Sequence, residues 1–294
     1  MRPLEFPDFL RRLDKHHKAL DPMHLMYDNV LQSGYLHFGY WPTEHTDQPG
    51  VLGQFCQAQE RFANELLACL PPGTHRVLDV GAGMGRLAGE MIARGHRVTA
   101  VTPSSVQAEH IATHYPAVTV KQGLFQDVGQ TLDPKAYDVI LFSESFRYMP
   151  LDRVMPLFSR LLSENGRVLI GDWFAQSRAT HGRGHDHHEA TFREMAQSRG
   201  WTIVSERDIT QNILPTLTIA QEILCGLYLP LAGLVLSKFA QKRPKLFRLC
   251  LPWMTRWIER KLLPQLTGRF EPAVFAQDYR YLFLVIKSSD AAAA

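Results

Sequence analysis

Val77-Leu78-Asp79-Val80-Gly81-Ala82-Gly83-Met84-Gly85 is the stretch on which the fold turns. Val77 to Val80 is a short apolar strand, glycine at alternate positions breaks it, and Met84 to Arg94 has the apolar spacing of a helix. Glycine gives the turn its unusual dihedrals and lets a ligand approach the backbone closely. In a doubly wound sheet this turn lies at the carboxyl edge, near the switch in strand order where ligands bind. A cofactor is therefore expected at Gly81, Gly83 and Gly85.

Arg97 to Val101, rich in β-branched residues, is the second strand of a βαβ unit. The alternation continues with a helix over Glu109 to Thr113, strands over Val118 to Lys121 and Tyr137 to Phe142, a helix over Val154 to Leu162 and a strand over Arg167 to Gly171. A polar stretch, Ala175 to His188, precedes a helix through Phe192 and Met195 and strands over Trp201 to Val204 and Tyr281 to Ile286. This order predicts an α/β fold with a seven-stranded, doubly wound, mostly parallel sheet covered on both faces. Residues 1–70 read as a helical N-terminal cap closed by Pro71, Pro72 and Gly73. Residues 71–210 with 279–288 make the core. Residues 211–278, far more than a hairpin needs, make an inserted helical lid.

With 45% hydrophobic and 21% charged residues in 294, the composition excludes disorder, collagen and coiled coil. Cys56, Cys69, Cys225 and Cys250 lie far apart without a CxxC pair, so neither a zinc site nor a disulfide framework is expected. The first residues lack the apolar core of a signal peptide, and a cytoplasmic location is expected. Residues 211–294 carry 11 Lys and Arg against 5 Asp and Glu, whereas the whole chain nets only +3. A basic segment that is also apolar suits anionic lipid or an acidic amphiphile. Nucleic-acid binding is not expected, since no recognisable module accompanies the charge.

A dinucleotide fits the glycine turn poorly. The third glycine of G-x-G-x-x-G would fall at Arg86, and Thr102 ends the second strand where a ribose-binding carboxylate belongs. The turn resembles motif I of the class I S-adenosylmethionine-dependent methyltransferases, D-x-G-x-G-x-G, complete at Asp79, Gly81, Gly83 and Gly85. Val101-Thr102-Pro103-Ser104-Ser105-Val106-Gln107 is similar to the G-[IL]-T-x-S-x-x-Q segment of the cyclopropane-fatty-acid-synthase, sterol and tocopherol methyltransferase branch. That likeness implies a Rossmann-like core, S-adenosylmethionine as cofactor, and Thr102 and Gln107 near its ribose. Ser104 and Ser105 also suit a helix cap.

The resemblance reaches further along the chain. Leu36-His37-Phe38-Gly39-Tyr40-Trp41 is similar to the family's L-H-x-G-Y-W segment, which implies that Tyr40 closes over the methionine end; as an aromatic staple it would instead pack the cap on the core. Gly123-Leu124-Phe125-Gln126-Asp127 stands where relatives show G-D-x-x-D. Leu124 replaces the adenine-binding carboxylate, leaving Phe125 to pack on the adenine. Ser143-Glu144-Ser145-Phe146-Arg147-Tyr148 resembles the family's S-x-E-[AS]-x-x-[HY] stretch, which implies Ser143 facing the cofactor and Glu144 and Tyr148 the acceptor. Glu144 equally suits a pair with a nearby cation. Cyclopropane synthases carry Glu-His where Arg147 and Tyr148 stand here, a departure that argues against their alkene chemistry.

His181, His185, His187 and His188 crowd one polar loop. The cluster suits a solvated loop; neutral histidine is also a competent base near pH 7, with His185 favoured for an acceptor-site base, and adventitious metal binding is a third reading, although the spacing lacks a carboxylate partner and no metal site is expected. Ile223 to Leu236 is uncharged but short of the roughly 20 residues a membrane span requires. Lys238 to Lys261 then interleaves eight Lys and Arg with aromatic and aliphatic residues. Residues 223–261 therefore suit either a lid over the core or peripheral contact with a membrane surface. Together these features predict methyl transfer from S-adenosylmethionine to carbon, nitrogen or oxygen of a small hydrophobic acceptor of lipid, isoprenoid or quinone-precursor type. The alternative is a catalytically silent, cofactor-binding protein of the membrane surface.

Overall fold

Strand β1 (Arg76–Val80) pairs in parallel with β2 (Arg97–Thr102) on one side and β4 (Tyr137–Ser143) on the other, which puts the glycine turn at the middle of the sheet's carboxyl edge. The computed structural model describes residues 34–42, 51–73, 75–176, 186–223, 229–257, 260 and 271–289. Beyond β2 lies β3 (Thr119–Gln122); beyond β4 come β5 (Leu162–Ala175), β7 (Tyr279–Ser288) and β6 (Trp201–Asp208). The order is therefore β3-β2-β1-β4-β5-β7-β6, with β7 antiparallel to both neighbours.

Strand alternation sorts the core into two layers. Val77 of β1, Val139 and Leu141 of β4 and Leu169 of β5 face one side, where α1 (Val51–Leu67), α2 (Arg86–Ala93) and α3 (Ser105–His114) supply Phe62, Leu66, Met91 and Ile111. Leu78, Ile140, Phe142 and Ile170 face the other, against α4 (Phe125–Thr131), α5 (Leu151–Leu161) and α6 (Glu189–Ser198). Asp79 shares Val77's parity and so points at the first layer.

The later helices divide. α7 (Thr210–Ile223) and α10 (Pro272–Asp278) bury Ile213, Leu217 and Phe275 in the first layer, so these parts of the expected lid segment pack on the core. α8 (Leu229–Lys242) and α9 (Pro244–Trp257) pack chiefly on each other. The expected strands are all present, and several run longer. Residues 34–42 differ from the helical expectation: they form an irregular strap across the carboxyl edge. Among the described residues no helix is long and apolar enough to cross a membrane.

Candidate functional site

Gly81, Gly83 and Gly85 hold φ of 79°, 55° and 82°, the left-handed region that L side chains avoid. A Cβ on Gly81 would collide with Ser145, one on Gly85 would lie 2.6 Å from Ile111, and one on Gly83 would meet only Leu36, at 3.1 Å. The turn is thus closely backed by the protein at Gly81 and Gly85 and less so at Gly83. Asp79, just before it, is 1% exposed, and its Oδ2 accepts no hydrogen bond from the described residues. Burial alone pushes this carboxyl up to about 7. Such an unpartnered acid is costly to keep and marks a place meant for a ligand.

At the neighbouring strand end, Ser143 has a buried Oγ without a partner among the described residues. Ser145 donates to the Val80 carbonyl at 2.5 Å and ties the β4 turn to β1. Between them Glu144 sits at φ 54°, uncommon for a residue with a side chain. Its Oε1 accepts from the Phe38 N–H at 2.9 Å and the Tyr281 hydroxyl at 2.8 Å. Burial pushes Glu144 up to about 7 against the pull of Arg147, so near neutrality it can hold or release a proton.

The strap is pinned along its length. Gly34 lies against Arg86 and Leu36 over Gly83. Phe38 bonds Glu144, while the Gly39 N–H and Trp41 Nε1 donate to Thr216 Oγ1 at 3.1 and 2.9 Å. The Phe38 ring stacks on Trp173 with centroids 5.5 Å apart, and Tyr281 tilts against both. These three rings form an aromatic wall beside Glu144. Below it Arg147 donates to Asp172 Oδ1 at 2.6 Å, lies 3.5 Å from the Trp173 ring centroid and also donates to the Tyr148 hydroxyl at 2.7 Å. Burial pulls the guanidinium's pKa down, but the Asp172 carboxylate more than offsets this and holds it charged.

The expected site residues separate under this geometry. Asp79, Gly81, Gly83, Gly85, Ser143, Glu144 and Tyr148 come together at the β1 and β4 ends. Thr102 donates to Gln107 Oε1 at the end of β2, and Ser104 caps α3 by accepting from the Gln107 N–H at 3.3 Å. Tyr40 is held from the far side of the sheet. Its hydroxyl accepts from Arg207 of β6 at 2.8 Å, four places from β1 in the strand order, an arrangement that suits the staple reading. Phe125 is buried with its ring against Phe142, which leaves the half-exposed Leu124 as the apolar surface at that edge. His185 lies outside the described residues. His187 bonds the Phe146 carbonyl at 3.2 Å, and burial lowers its pKa. Among the described residues no cluster could hold a metal ion.

Sequence reasoning passed over Asp172, Trp173 and Tyr281. The signal for Asp172 was an acid interrupting an apolar strand at its carboxyl end, as Asp79 does in β1. Tyr281 reaches this edge only because β7 is antiparallel, so that the start of β7 lies beside the end of β5, with Trp173 opposite Tyr281.

Comparison with known proteins agrees with this layout. The Methyltransferase domain family matches residues 55–209, just over half of the chain. The chain belongs to this family. S-adenosylmethionine is the family's cofactor, and the left-handed glycines with the orphaned Asp79 fit it. An uncharacterised methyltransferase of Mycobacterium bovis is 29% identical over 99 residues, which are 34% of this chain and 40% of that protein. One from Bacillus licheniformis is 25% identical over 148 residues, 48% of this chain and 68% of that protein. The chain thus spans well under half of the mycobacterial relative it matches. Among solved structures, geranyl diphosphate C-methyltransferase from Streptomyces coelicolor, in complex with S-adenosyl-L-homocysteine, has a TM-score of 0.68 at 15% identity, covering 97% of this chain and 99% of that one. The cyclopropane synthase MmaA2 of Mycobacterium tuberculosis has a TM-score of 0.63 at 16% identity, covering 94% and 97%. At these identities the likeness is one of fold.

Proposed function

We propose that the protein transfers a methyl group from S-adenosylmethionine to a small apolar acceptor of lipid, isoprenoid or quinone-precursor type. One observation carries this reading: the glycine cradle with its orphaned Asp79 shares a sheet edge with an aromatic wall that bears Glu144. The bound cofactor supplies an activated methyl group for in-line displacement. The protein's own work is to align the acceptor and exclude water. Leu36 of the strap covers the turn at Gly83, while the half-buried Phe38, backed by the buried Trp173 and Tyr281, offers the acceptor an apolar face. The Phe38 and Tyr281 donors fix Glu144 Oε1 and leave Oε2 to take a proton from a carbon or oxygen acceptor. Arg147, held by Asp172, donates to the Tyr148 hydroxyl and so orients that exposed phenol at the same edge, where it can hydrogen-bond an acceptor oxygen. The likeness to enzymes named for geranyl diphosphate and cyclopropane chemistry supports an apolar acceptor.

The division into a core of 71–210 with 279–288, an N-terminal cap and a segment 211–278 belongs to this proposal, with α7 and α10 joined to the core. The test is incubation with methyl-labelled S-adenosylmethionine and fractionated cell extract. Label is expected in an organic-soluble product. Donor binding with no labelled product in any fraction would favour the catalytically silent alternative.

A further inference from the structure

Residues 229–257, the α8–α9 hairpin, contain Lys238, Lys242, Arg243, Lys245, Arg248 and Arg256 and no Asp or Glu. The same 29 residues hold five of the nine exposed large apolar side chains of the described chain: Leu234, Leu246, Leu249, Leu251 and Trp253. Leu249 and Trp253 are 76% and 70% exposed, values at odds with a helix packed over a core. In α9 the spacing of Leu246, Leu249 and Trp253 is three and then four, so the three share one face. Arg256 and Lys245 border that face. Phe247 lies away from it, packed on Phe239 of α8 with centroids 6.1 Å apart. The hairpin is thus joined through its inner aromatics and turns an apolar stripe edged by cations outward.

We infer that this hairpin is a docking surface for an anionic lipid bilayer. The occupant is chosen by charge: a second copy of the hairpin would bring like charges together, whereas anionic headgroups neutralise the cations while the interface receives Leu246, Leu249 and Trp253. The surface lies outside the residues assigned to methyl transfer, so the inference stands whether or not that assignment holds. It gives the protein a route to an acceptor dissolved in a membrane.

The test is cosedimentation of the full chain with vesicles of phosphatidylcholine mixed with phosphatidylglycerol, against phosphatidylcholine alone. Binding to the mixed vesicles only is expected, with release near 1 M salt, where the Debye length falls to about 3 Å. Each basic side chain at an anionic surface is worth roughly five-fold in partitioning, so Lys245→Gln, Arg248→Gln and Arg256→Gln together should weaken binding about a hundred-fold. Quenching of tryptophan fluorescence by brominated phospholipid, largely lost in Trp253→Phe, gives a second readout that leaves the charges intact. Equal binding to both vesicle types, or to neither, overturns the inference. So does lipid-free dimerisation that Leu249→Ser with Trp253→Ser abolishes, since the stripe would then belong to a second copy.

Discussion

Replacing Asp79 by asparagine keeps the shape of the side chain and removes its charge. In the native protein burial raises this carboxyl from 3.8 to about 7, and no described residue donates to its Oδ2. Between those two values the folded chain binds more protons than the unfolded chain. Stability therefore falls as the pH rises through that window. A gap of about three pKa units corresponds to about 4 kcal/mol once both values are passed, and to about 3 kcal/mol between about pH 5 and pH 8. The assay is urea denaturation of wild type and Asp79→Asn at both pH values. The variant should gain about 3 kcal/mol on the wild type as the pH is raised, while binding S-adenosylmethionine more weakly. If the two proteins change stability in parallel, Asp79 is not the buried, unpartnered acid described here.

Glu144→Gln should remove the limb near pH 7 from the rate profile, because the carboxyl at about 7 is what titrates there; a limb that survives in the variant assigns it elsewhere. Asp172→Asn leaves the buried Arg147 charge without its counterion and should cost about 3–5 kcal/mol in denaturant melts, with a loss below about 1 kcal/mol arguing against the pair. Thr216→Val strands the Gly39 and Trp41 donors and should cost about 1–3 kcal/mol, with hydrogen exchange at Gly39 rising first; unchanged protection would mean that the strap is held by other contacts.

The succession of strands and helices along the chain and the glycine turn were legible because both are local: alternation of apolar residues and a D-x-G-x-G-x-G spacing do not depend on distant partners. Asp79, Ser143 and Glu144 were legible for the same reason, each standing at the end of a readable strand. What escaped was set by long-range geometry. Tyr40 sits in a recognisable motif, yet Arg207 holds it, and the partnership depends on where β6 ends up. Phe125 could face adenine or the core, and only the packing of α4 against Phe142 decides between them. Tyr281 comes to lie against Glu144 because one strand runs against the others, a reversal that no residue type announces. The exposed side of α9 was written in its 3–4 spacing, but the sequence left open whether the core would cover it.

Calorimetry of S-adenosylmethionine against wild type and Gly83→Val tests the cradle most directly. At this glycine an added Cβ meets only one flexible leucine, so the variant should keep its fold, apart from the roughly 1–2 kcal/mol of a left-handed side chain. One-to-one binding to the wild type and none to the variant is expected, with both melting cooperatively. A wild type that takes up no S-adenosylmethionine, or a folded variant that binds it equally well, would mean that the glycine turn is not the cofactor's cradle.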